Sequence, residues 1–80
     1  MTETLDTPIA QLTEIVDALD DPGELYRVSR EVEARVTSAM RAARQTRALH
    51  LKGQGLTWRQ IGRLMGGVSA QRAEQISRGV

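Results

Sequence analysis

The chain has 80 residues, no cysteine, one histidine and a formal net charge of +1. With no Phe, one Trp and one Tyr, so short a chain has little to bury alone, and oligomerisation is a natural way to gain apolar area. The composition excludes disulfides and thiolate metal sites, no apolar run approaches the roughly 20 residues of a membrane span, and Met1–Asp6 lacks the basic and apolar regions of a signal peptide. These features predict a soluble cytoplasmic protein. The small net charge conceals a division: residues 1–33 hold nine acids against two arginines, net −7, and residues 34–80 hold nine Lys/Arg against one acid, Glu74, net +8. One end of the chain is suited to a polyanion.

Residues 1–6 read as a frayed terminus. Thr7-Pro8 then places a cap before a proline at the first helical position, a favoured helix start. Ile9, Leu12, Val16 and Leu19 form an apolar seam over a helix from about Pro8 to Leu19. Asp20-Asp21-Pro22-Gly23 is a turn, and Asp21-Pro22 opens the next helix in the same manner, with Glu24 in its first turn. From Gly23 to Gly53 no further glycine or proline intervenes. Leu25, Val28, Val32, Val36, Ala39, Met40 and Ala43 recur at helical spacing, and Glu31 and Arg35 stand at i,i+4. A helix of about thirty residues spans roughly 45 Å, too long for the first helix to cover. Its uncovered seam (Leu25, Val28, Val32, Val36, Ala39, Met40) suits the same helix of a second subunit; the alternative is packing within the chain alone.

The end of that helix is basic: Arg41, Arg44, Arg47, His50 and Lys52. These charges complement the helix dipole, and they exceed what capping requires, which makes Arg44 and Arg47 candidate phosphate contacts. Leu49, Leu51, Leu56 and Trp58 are expected to anchor the loop Lys52-Gly53-Gln54-Gly55 to a small core, Trp58 as a core residue rather than a base stacker. Thr57 caps a short helix bearing Trp58, Ile61, Leu64 and Met65. Gly66-Gly67 stops it by supplying positive φ, Val68 plugs the turn, Ser69 caps again, and Ala73 and Ile76 form the inner face of a helix over 69–78. Two short helices on a tight glycine turn make a helix-turn-helix. The expected fold is all-α: an N-terminal helical hairpin (1–43), whose long helix leads into a C-terminal helix-turn-helix (44–80).

With Ala73 and Ile76 inward, Gln71 and Arg78 point outward, flanked by Glu74 and Gln75. Glutamine suits adenine, arginine guanine, and a carboxylate the cytosine amine, so these four are candidate base readers in a major groove. Arg59, Arg63 and Arg72, with Arg44 and Arg47, are candidate phosphate clamps; Thr57 and Ser69 add helix N-termini. For each, solvation is the plain alternative. Catalysis finds no support. The single His50 stands on a basic helix end without partner ligands, Gly53-Gln54-Gly55 is not followed by Gly-Lys-Ser/Thr, and Gly62 and Gly66 have a membrane-dimer spacing without an apolar span. Neither metal nor cofactor is expected.

Trp58-Arg59-Gln60-Ile61-Gly62-Arg63-Leu64-Met65-Gly66-Gly67-Val68-Ser69 resembles the x-x-x-I-A/G-x-x-L-G-V-S pattern of bacterial helix-turn-helix regulators, with Gly62 at the small position and one extra glycine in the turn. Ser69-Ala70-Gln71-Arg72-Ala73-Glu74-Gln75-Ile76 is similar to the Ser/Thr-x-x-Arg-x-x-Gln-Ile recognition helix of sigma factor region 4. The resemblance covers residues 49–78. It implies a helix that reads DNA in the major groove, with Gln71, Arg72 and Gln75 in contacting positions. The front half looks most like small actinobacterial, phage or plasmid-type helix-turn-helix proteins. The expected function is a homodimeric, sequence-specific, double-stranded DNA-binding transcriptional regulator, associated with the nucleoid. The alternative is a helix-turn-helix adaptor whose acidic half binds a protein such as RNA polymerase.

Overall fold

The computed structural model describes residues 2–80, with side chains from Thr4 onward. Among these residues the chain is all-helical, with α1 (Thr2–Asp17), α2 (Pro22–Gly53), α3 (Trp58–Leu64) and α4 (Ala70–Ser77), and no strand. It divides into two compact units, Met1–Val36 and Thr37–Val80. The division falls within α2.

The first helix departs from its expected bounds. It begins at Thr2, carries Pro8 inside it and ends at Asp17. Proline forfeits one amide donor, but its fixed φ is itself helical, and Leu5 extends the Ile9 and Leu12 stripe back by one turn. The start at Thr7-Pro8 is therefore overruled by apolar periodicity on its N-terminal side. At the other end the helix tightens, with Ala18 N–H on the Glu14 carbonyl and Leu19 N–H on that of Val16.

The start of α2 follows the expected chemistry. The Glu24 amide donates to Asp21 Oδ2 at 2.8 Å and Leu25 N–H to the Asp21 carbonyl at 2.9 Å, with Pro22 in the first turn where its missing N–H costs nothing. Glu31 accepts from Arg35 at 2.8 Å and lies 3.8 Å from Arg27. These exposed pairs steady the helix surface by a few tenths of a kcal/mol each, of order 0.3.

In the first unit, Val16 of α1, Leu19 just beyond its end, and Leu25, Val28 and Val32 of α2 are half-buried, and no described residue is fully buried. Between the helices lies an open cleft of about 230 Å³, with Leu12 and Val16 on one wall and Ser29 and Val32 on the other. Leu5, Ile9, Ile15 and Val36 stay largely exposed. Thr13 and Ser29 turn their hydroxyls back onto the carbonyls of Ile9 and Tyr26 in their own helices, so they brace single helices rather than join them.

The second unit has a true core. Ala48 of α2, Ile61 of α3, and Ala73 and Ile76 of α4 are buried, with Leu51, Leu56, Trp58, Met65 and Val68 packed around them. Trp58 is thus a core neighbour, as its setting implied, and Lys52 Nζ sits 4.7 Å from its ring centroid. Two expected members are absent. Leu49 is 51% exposed and Leu64 66%. At about 100° per residue, Leu49 lies well round α2 from Ala48 and Leu51, and Leu64 lies nearly opposite the buried Gly62 on α3.

Candidate functional site

The site is built on α3, its turn and α4, all in the second unit. Thr57 opens α3 with a capping box: its hydroxyl accepts from Gln60 N–H at 3.2 Å, and the Gln60 side chain accepts from Thr57 N–H at 2.9 Å. Met65 closes the helix through its amide to the Ile61 carbonyl. Gly66 and Gly67 then both take positive φ, +87° and +85°, a region costly to any residue with a Cβ. The amides of Gly67 and Val68 both donate to the Gly62 carbonyl at 3.0 Å.

Gly62 is required for a different reason. A Cβ there would lie 2.3 Å from the Val68 carbonyl oxygen, so the turn backbone rests directly on α3. The expectation of a small residue at this point is met, with the turn itself as the close neighbour.

Ser69 caps α4, its hydroxyl accepting from Arg72 N–H at 3.0 Å. Ala73, Ile76 and Ser77 face inward, which leaves Gln71, Gln75 and Arg78 on the opposite face, Glu74 on one flank and Arg72 on the other. The helix closes at Arg78, whose N–H reaches the Gln75 and Ile76 carbonyls. Gln71 is exposed. The other two outward residues are each paired with a flanking one: Arg72 Nη1 donates to Gln75 Oε1 at 3.5 Å, and Arg78 Nε lies 3.0 Å from Glu74 Oε1.

Arg44 and Arg47 on α2, and Arg59 and Arg63 on α3, are exposed. Arg59 and Arg63 stand one turn apart on one flank of α3, and Arg44 stands one turn before Ala48. The unit that carries them holds eight Lys/Arg against one acid, net +7, while the first unit holds nine acids against three arginines, net −6. Of the two capping residues, Thr57 has both its N–H and its hydroxyl engaged with Gln60.

Two residues that hold the site in place carried no motif. Gln45 Nε2 donates to the Ser77 carbonyl at 3.1 Å, tying α2 to the C-terminal end of α4, and Ser77 is 8% exposed with its hydroxyl on the Glu74 carbonyl. The available signal was the position of Gln45, three residues before Ala48 on the same helix face. Among the described residues no group of His, Asp or Glu could hold a metal ion, and no helix is long and apolar enough to cross a membrane.

Of the seam read on α2, Leu25, Val28 and Val32 are half-buried, whereas Val36, Ala39 and Met40 are exposed. No family model, no curated protein and no solved structure matches the chain.

Proposed function

We propose that this chain is a sequence-specific, double-stranded DNA-binding transcriptional regulator that acts as a homodimer. In this reading α3 and α4 form a helix-turn-helix at the end of an N-terminal helical hairpin. The observation that carries it is the outward face of α4, where Gln71, Gln75 and Arg78 lie opposite the buried Ala73 and Ile76, on a unit of net +7. These are side chains able to read base edges from a major groove, and Glu74 lies beside them. Arg44, Arg47, Arg59, Arg63 and Arg72 supply phosphate contacts that position the helix without reading sequence, with the N-terminal ends of α3 and α4 at Thr57 and Ser69 beside them. The protein would then work in the cytoplasm, on the nucleoid.

A single helix of this length buries too little surface for tight specific binding. The exposed Val36, Ala39 and Met40, continuing the half-buried Leu25, Val28 and Val32, supply the face for a second copy, so that two α4 helices meet half-sites about one helical turn or a multiple apart. Selection from random DNA should enrich one site, and the Gln71→Ala/Arg78→Ala double variant should lose that site while keeping its helical circular dichroism. Undiminished binding by the double variant would overturn this reading. Light scattering should give twice the 8.8 kDa chain mass; a clean single-chain mass at micromolar concentration removes the dimer.

A second reading rests on α1, an acidic helix whose Leu5, Ile9 and Ile15 are each close to 60% exposed. There the same fold is an adaptor, and the acidic unit meets a protein such as RNA polymerase. Co-purification with polymerase that survives the α4 double variant, without any enriched DNA site, would favour it.

A further inference from the structure

Within the DNA-reading hypothesis, on which this step rests, Glu74 and Arg78 are not two independent readers. We infer that Glu74 is a positioning residue, which aims the Arg78 guanidinium at a guanine and keeps it off the phosphates. Glu74 Oε1 lies 3.0 Å from Arg78 Nε, one helical turn away, with the arginine side chain 60% exposed and the glutamate 40%. A guanidinium has two edges that present paired N–H donors, one including Nε and one formed by the two Nη atoms. With Nε bound to Glu74, the Nη edge is left, and that edge matches O6 and N7 of guanine bidentately.

The backbone under the pair is fixed at both ends. The Arg78 amide is held by the Gln75 and Ile76 carbonyls, and the Glu74 carbonyl accepts from the Ser77 hydroxyl. The arginine therefore meets DNA from a fixed backbone with its Nε edge already engaged, which lowers the ordering cost of presenting the Nη edge to the correct base. The carboxylate has a second effect. It is the one acidic side chain in a unit of net +7, and near DNA it repels phosphate, so a register that offers Arg78 no guanine is penalised. Glu74 thus favours discrimination at the expense of general affinity. A cytosine reader at this position would behave differently, because it would make its own base contact regardless of residue 78.

The test compares Glu74→Gln and Glu74→Ala with wild type on the selected site and on each single-base variant of it, with Arg78→Ala to identify the base pair that Arg78 reads. Discrimination at that base pair should fall about fivefold or more in both Glu74 variants, affinity for random-sequence DNA should rise, and the Glu74→Gln/Arg78→Ala pair should lose no more than Arg78→Ala alone. Discrimination at the base pair sensitive to Gln71→Ala should be unchanged. The pair is exposed and its loss leaves the fold intact, which circular dichroism of each variant checks. Full discrimination in Glu74→Gln overturns the inference, and so does equal loss at every position, which would make Glu74 a helix-stabilising residue. A base pair that depends on Glu74 in the absence of Arg78 would make it a reader in its own right. If wild type enriches no sequence, the DNA reading itself fails, and this inference with it.

Discussion

Between Met1 and Val36 the chain uses two helices without fully burying a described residue, whereas Thr37–Val80 buries Ala48, Ile61, Ala73 and Ile76 around one turn. The first unit is not short of apolar side chains: Leu5, Ile9, Leu12, Ile15 and Val16 lie along α1 alone. Its stripes are long and parallel to the helix axes, and two helices laid side by side leave part of each in water. The second unit sets small residues at its centre, Ala48 and Ala73 at 0% exposure beside Ile61, with Leu51, Leu56, Trp58 and Met65 packed against them. Apolar content does not by itself make a core; a third element must close over it.

The contrast can be broken most directly at Ile61, the large side chain with no exposure. Ile61→Ala should cost about 2–5 kcal/mol, most of what a domain of this size commands, and thermal melts should show the Thr37–Val80 unit unfolding at assay temperature. Gly62→Ala comes next. Its Cβ meets backbone at Val68 rather than a movable side chain, and about 2–3 kcal/mol is expected, measured by urea titration. In the first unit Val32→Ala should cost under about 1 kcal/mol in dilute protein, because the methyls removed are already partly in water. A loss that grows as concentration rises would identify a second copy on this face. Glu31→Gln, which removes both exposed ion pairs of α2, should shift stability by under about 0.5 kcal/mol. A larger effect there would mean that the first unit is held by charge rather than by its partial burial.

Features with local chemistry were legible in the sequence. Asp21-Pro22, Thr57, Ser69 and the glycine pair each carry a cap or a positive φ that belongs to one residue, and Ala73 and Ile76 follow from spacing within one short helix. Pro8 misled because a proline that can begin a helix is also tolerated a little further in. Leu49 and Leu64 misled because spacing shows which residues share a face, and not whether the face is covered. Gln45 and Ser77 are 32 residues apart in the chain, and no local pattern announces a bond of that reach. Glu74 and Arg78 stood at a legible i,i+4 spacing, but a candidate base reader draws attention outward, and its neighbour on the same helix is what it meets first.

The Gly62 carbonyl receives two amides from the turn, while the Val68 carbonyl occupies the space a Cβ at position 62 would need. Main-chain atoms thus fix how α4 leaves α3, and none of the side chains at 71, 75 and 78 takes part. Those three positions form a replaceable cassette on a mount that does not depend on them. Exchanging the trio should alter what α4 touches while leaving the angle between α3 and α4, and the melting temperature of the unit, where they are. The glycine pair extends the same independence to the turn: two residues without side chains leave nothing there for a new cassette to clash with.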